Sequence, residues 1–233
     1  MLWSTGCSHT YGNDLEDKTL AWPYILAEML STECHNNASS GGSNERIVYE
    51  TVKAFPADLY VIAWTYTTRF TRYDQNNYQI NFNPGLVHDL YSNKYEFTQY
   101  AKLHYTFWYN QLYSFKLWLQ QIILVQKYLK NKNQKYLMLT AANNQYKTFV
   151  TEWIDFNHSI KDHTCFDQMD DIQLQSEHAE IQRYIDDIDT NCYYKIDKFC
   201  ITDLNDEYPT GETHHLLEEG HRELANRLYY CLN

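Results

Sequence analysis

A serine near the start of the chain, in Gly6-Cys7-Ser8-His9-Thr10-Tyr11-Gly12, and a histidine near its end, in Gly211-Glu212-Thr213-His214-His215, are the residues whose types could do chemistry together. A serine hydroxyl is a poor nucleophile until a base takes its proton. A histidine of near-neutral pKa suits that task, provided a carboxylate fixes its tautomer. Glu212 stands three residues before His215, a spacing from which a carboxylate can reach back to the imidazole within one turn. Ser8 therefore reads as nucleophile, His215 as base and Glu212 as the orienting acid. The oxyanion of such a reaction needs hydrogen-bond donors, and the N–H of Ser8 and the flexible backbone around Gly42 are the candidates.

Other residues compete for roles around these. His214 is a rival to His215 as base and a candidate substrate contact, and Arg69 could hold an anionic group bidentately. Asp206, Glu212, His214, His215 and His221 are of the right types for zinc or manganese, but no HExxH spacing or second cluster completes a site. No metal is expected. Neither GxxxxGK[ST] nor GxGxxG occurs, so no nucleotide cofactor is expected either. Each residue also has a plainer reading: Ser8 as a helix cap, Gly41 and Gly42 as a turn, Thr65 as a strand end, His221 as a packing residue of the last helix.

The elements that must position these residues can be read from hydrophobic periodicity. Met1 to Thr5 reads as a strand running into the serine turn, and residues 19–31 carry apolar positions at helical spacing. A short strand near Glu33 to Asn36 leads to the turn Asn36-Asn37-Ala38-Ser39-Ser40-Gly41-Gly42-Ser43, then a helix to about Ala54. Residues 59–65 and 136–140 are apolar runs of the kind found in strands covered on both faces, and 196–202 is a less clean third run. Residues 97–130 predict one long helix, or two joined near Asn110, as a crossover, and residues 219–232 predict a closing helix. Strands alternating with helices imply a three-layer α/β/α domain on a mostly parallel sheet, with its site beyond the carboxyl ends of the strands. The chain reads as one domain over 1–233, with polar insertions at about 66–95 and 156–195.

These motifs resemble the SGNH, or GDSL-type, hydrolases, serine esterases and lipases on a flavodoxin-like sheet. The family's Gly-Asp-Ser block resembles Gly6-Cys7-Ser8, which puts the nucleophile on Ser8. Its second block resembles Asn37-Ala38-Ser39-Ser40-Gly41-Gly42, which implies an oxyanion role for Gly42, and its Asp-x-x-His block resembles Glu212-Thr213-His214-His215. The third block departs from the pattern: Gly-x-Asn-Asp is replaced by Ala63-Trp64-Thr65-Tyr66, so Thr65 stands in for the missing asparagine donor. The variant GCSHTYG, with AWP, GGSNERI and WTYTTRF, is similar to small members of this kind associated with phages and bacteria. The resemblance covers the two ends and the third strand, and nothing from about 75 to 190.

Composition bounds what remains. The formal charge of -11 leaves no basic footprint for a nucleic acid, and no apolar segment is long enough for a membrane span. With no leader visible, the cytoplasm is the expected compartment and the six cysteines are expected as thiols. The abundance of rings, 22 tyrosines and six tryptophans, fits a core and its rim, or a surface that binds sugars. The expected activity is hydrolysis of a carboxylic ester, with an acetyl group on a glycan as first choice and another small-molecule ester as the broader class. The alternative is a non-catalytic binding or structural protein on the same fold. The sequence leaves the oligomeric state unassigned.

Overall fold

The structure, a computed structural model, describes residues 1–76, 78–84, 95–142, 171–196 and 198–233. The chain begins with β1 (Leu2–Thr5), then the single turn α1 (Ser8–Tyr11), α2 (Trp22–Met29), β2 (Cys34–Asn36), α3 (Asn44–Lys53) and β3 (Leu59–Trp64). A two-stranded antiparallel hairpin, β4 (Phe70–Tyr73) and β5 (Gln79–Phe82), precedes α4 (Tyr95–Leu103). A π-helical turn at His104–Trp108 joins α4 to α5 (Gln111–Asn131). After β6 (Tyr136–Thr140) come α6 (Asp171–Asp187) and the closing α7 (Glu218–Leu232).

The sheet has the order β2-β1-β3-β6 and every pairing in it is parallel. Side chains of its strands alternate between two apolar clusters. Trp3, Tyr60, Ile62, Trp64 and Met138 face α3, α5 and α6, while Leu2, Val61, Ala63, Leu137 and Leu139 face α2 and α7. Both faces are covered, so the strands read as continuous hydrophobic runs and the architecture is three-layered α/β/α. All the sheet's carboxyl ends point to one edge, where the loops after β1, β2 and β3 meet. No helix among the described residues is long and apolar enough to cross a membrane.

One expectation is corrected. The central strand expected at 196–202 is not formed by its described residues, 196 and 198–202. Beyond β6 the described residues form one isolated bridge, Met138 to Tyr193, and residues Ile201–Asp206 wind into a 3-10 helix. The cause is local: Asp203 Oδ2 accepts the N–H of Cys200 at 2.8 Å, which starts a helical turn, and the turn still buries Ile201 and Leu204. Within the polar insertion expected at about 156–195, α6 occupies 171–187; residues 156–170 lie outside the described residues. Of the two forms expected for the crossover at 97–130, the structure has two helices meeting near Asn110, whose side chain accepts the Tyr113 N–H at 2.8 Å and starts α5 afresh.

Candidate active site

Ser8 occupies the first position of α1, directly beyond β1, and is 3% exposed. Its N–H is one of the orphan donors of a helix start and has no acceptor among the described residues. The loop after β2 packs beside it, with Ser39 N–H donating to Gly6 O at 3.2 Å. Thr65, at the end of β3, is clamped by Asn44: its N–H donates to Asn44 Oδ1 at 2.9 Å and its carbonyl accepts Asn44 Nδ2 at 3.1 Å.

The loop carrying His215 is a tight hairpin. Thr210 and Leu216 form an antiparallel bridge, Gly211 N–H donates to His215 O at 2.9 Å, and His214 closes the turn in the left-handed region at φ 59°. A three-residue loop of this kind places its first two residues at the tip. Glu212 is therefore exposed and makes no hydrogen bond or ion pair among the described residues. Asp14 occupies the place expected of it. Its carboxylate accepts the Thr213 hydroxyl at 2.6 Å, the Thr213 N–H at 3.0 Å and the His215 N–H at 3.2 Å, and lies 3.7 Å from His215 Nδ1. Gly211 makes room for it: a Cβ there would stand 2.4 Å from Asp14 Cβ.

The hydrogen bonds fix the tautomer of His215. A carboxylate can only accept, so the single hydroxyl proton of Thr213 goes to Asp14 Oδ1, and Thr213 Oγ1, 2.8 Å from Nδ1, accepts the Nδ1 proton. The lone pair is then on Nε2. Desolvation works to raise the Asp14 carboxyl, but the hydrogen bonds from Thr213 and the His215 N–H outweigh it and hold the group below the ordinary carboxylate range. Burial lowers His215 from its ordinary value, the Asp14 charge opposes that shift, and Arg69 adds to it.

Two further histidines stand beside this one. The His9 ring lies 4.5 Å from that of His215, centroid to centroid, and burial, assisted by the charges of His215 and Arg69, pushes it down to about 3. His221 is fully buried in α7; its Nδ1 accepts the Trp22 N–H at 3.2 Å and so satisfies a donor at the start of α2. Burial pushes it down to about 4. Both rings are neutral at neutral pH. No group of three or more metal-ligating side chains stands together among the described residues.

The oxyanion donors differ in availability. Gly42 N–H is committed to Ser39 O at 3.0 Å, whereas Gly41, at φ 69°, has an N–H with no acceptor among the described residues. Thr65 Oγ1 accepts Arg69 Nη1 at 3.2 Å, which leaves its own proton available to donate. Arg69 also lies over the Tyr66 ring at 4.8 Å.

Neither a protein-family model nor a curated protein matches this sequence. Solved structures are similar at low identity. One is a protein described as lipolytic and of the G-D-S-L family from Desulfitobacterium hafniense DCB-2, with 10% identity and TM-score 0.44 over 99% of this chain and 98% of that one. A carbohydrate esterase whose active site displays divergent catalytic and non-catalytic binding functions has 11% identity and TM-score 0.47, covering 99% of this chain and 64% of that one. A carbohydrate esterase family 2 enzyme with a carbohydrate-binding domain, from Corynascus thermopiles (Myceliophthora fergusii), has 12% identity and TM-score 0.44, covering 99% and 66%.

Of the residues singled out in the sequence, the structure gathers Ser8, Thr65, Arg69 and His215 at one sheet edge, with Gly41 and Gly42 alongside. Glu212 and His214 are exposed on the hairpin, and Ser8 and His215 make no hydrogen bond to each other. Sequence reasoning missed Asp14, Thr213 and Asn44. The available signal for Asp14 was the acidic run Asp14, Glu16, Asp17 directly after the serine turn.

Proposed function

We propose that the protein is a serine-dependent hydrolase of carboxylic esters, with an acetyl or other small acyl group on a carbohydrate as the substrate class. The observation that carries this reading is the chain of hydrogen bonds from Asp14 through Thr213 to His215 Nδ1, which leaves a basic Nε2 on the loop packed against the Ser8 turn. In the reaction, Ser8 Oγ attacks the carbonyl carbon as its proton passes to His215 Nε2. The N–H of Ser8, the Thr65 hydroxyl and a glycine N–H hold the oxyanion; Gly41 takes the role first assigned to Gly42, because only its N–H is uncommitted. Collapse breaks the bond to the alcohol, which leaves with the proton from His215. Water, deprotonated by the same imidazole, then cleaves the acyl-serine, releasing the acid and restoring Ser8.

A second reading, a binding protein without turnover, is favoured by one observation: Ser8 is 3% exposed and makes no hydrogen bond to His215. Labelling with a fluorophosphonate, read by mass spectrometry, separates the two. The esterase reading expects an adduct on Ser8 that is lost in Ser8→Ala and weakened in folded His215→Ala. No adduct on the wild-type protein, or full esterase activity in Ser8→Ala, overturns it.

A further inference from the structure

Strand β4 with the turn before it and the segment from His104 into α5 line, with the first turn of α3, a partly open cavity of about 240 Å³ beside this site. Glu45, Arg69, Phe70, Arg72, Trp108 and Tyr113 are among the residues lining it. Neither arginine has a carboxylate within 4.0 Å among the described residues, although the chain carries a formal charge of -11. Arg222 and Arg227, by contrast, are paired with glutamates. Arg69 is held by Thr65 Oγ1 and the Tyr66 ring. Arg72 donates to Thr71 O at 2.9 Å and lies over Phe70 at 5.1 Å. A guanidinium carries five N–H donors in a planar fork, so each retains an unused edge suited to an anion.

Two other features narrow the ligand. Glu45 also lines the cavity, and its carboxylate is an acceptor for a ligand hydroxyl. Trp108 and Tyr113 are 65% and 62% exposed, and offer ring surface to a flat, partly apolar ligand face. Arg69 ties the cavity to the reacting residues: it lines the cavity, donates to Thr65, and its charge bears on both His9 and His215.

We infer that this cavity binds a sugar ring bearing an anionic group, carboxylate or phosphate, as the alcohol portion of the ester. The inference rests on the esterase reading for its role in turnover, but binding can be measured without it. Isothermal titration of Ser8→Ala protein with glucuronate, glucose 6-phosphate and glucose is the test, since none of the three carries an ester. At least one charged sugar is expected to bind ~10-fold or more tightly than glucose, as charge-assisted contacts to arginine require, and to lose that advantage in high salt. Which of the two wins identifies the anion. Folded Arg72→Gln, a change at an exposed position, is expected to bind it no better than glucose. Equal binding of charged and neutral sugars, or an undiminished preference in both Arg69→Gln and Arg72→Gln, overturns the inference. Loss of serine reactivity alone leaves it standing.

Discussion

Asp14 Oδ2 lies 3.7 Å from His215 Nδ1, although 201 positions separate the two residues in the chain. Asp14 is in the left-handed region at φ 54°, as is His214 at φ 59°, so both halves of the contact hold backbone conformations that side chains usually avoid. Such conformations persist only where surrounding contacts enforce them, and here the Asp14 carboxylate takes three hydrogen bonds from the opposing loop.

Asp14, rather than Glu212, is expected to govern turnover. In Asp14→Asn an amide replaces the acceptor of the Thr213 proton, and the Nδ1–H tautomer of His215 loses its support. A fall in kcat of roughly 10²-fold or more is expected for an aryl acetate, by analogy with the loss when a triad carboxylate is made an amide. Glu212→Gln is expected to stay within about twofold, as for other exposed substitutions away from packed features. Thr213→Ser should keep activity that Thr213→Val loses. A larger loss in Glu212→Gln than in Asp14→Asn would reverse the assignment.

Gly211 is required for its lack of a side chain. A Cβ there would meet Asp14 Cβ at 2.4 Å, Cγ at 2.6 Å and Oδ2 at 2.7 Å, so Gly211→Ala must displace the carboxylate or the hairpin. A loss of about 1–3 kcal/mol in urea unfolding is expected, the usual cost of overpacking a filled site, together with a fall in kcat. Unchanged stability and kcat would mean that the two loops part without penalty.

The pH profile should carry the sign of the histidine's surroundings. Burial lowers His215 from 6.5 and Asp14 resists that shift, so kcat/KM is expected to rise with pH along an acid limb centred below 6.5. Removing the Asp14 charge removes the opposing influence. The residual activity of Asp14→Asn should therefore show its acid limb at still lower pH. A limb that moves upward in this variant would contradict the arrangement.

Acid stability should report the two neutral histidines. His9 at about 3 and His221 at about 4 both lie below their unfolded value of 6.5, so below that pH the unfolded chain binds more protons than the folded one. Their contribution is complete above pH 6.5. It is lost as the pH falls towards about 4 for His221 and about 3 for His9. Each ring steepens the dependence by up to about 1.4 kcal/mol per pH unit. Urea unfolding between pH 6 and pH 5 should show His221→Gln with a slope shallower than wild type by roughly that amount. Parallel slopes would show that His221 protonates freely in the folded protein.

Much of this molecule is legible because its sheet is covered on both faces, which turns Leu59–Trp64 and Tyr136–Thr140 into uninterrupted apolar runs. The same signal misled at 196–202, where burial of Ile201 and Leu204 is achieved by a 3-10 turn, and a short apolar run does not distinguish the two. Ser8 and His215 could be singled out by type and by their place after a strand and before a helix. The carboxylate could not, because spacing along a loop does not say which residues its turn expels. The hairpin puts Glu212 at the tip, and Asp14 enters from the other end of the chain.

That last feature has a bearing on the order in which the protein is made. Asp14 and Ser8 are made well before Thr213 and His215, since 199 positions separate Asp14 from Thr213, and the same separation lies between Trp22 and His221, which receives its N–H. A nascent chain thus carries the serine through that long interval without the imidazole proposed to activate it. Reactivity, on the proposed mechanism, is conferred all at once, when the segment of His215 docks onto that of Ser8.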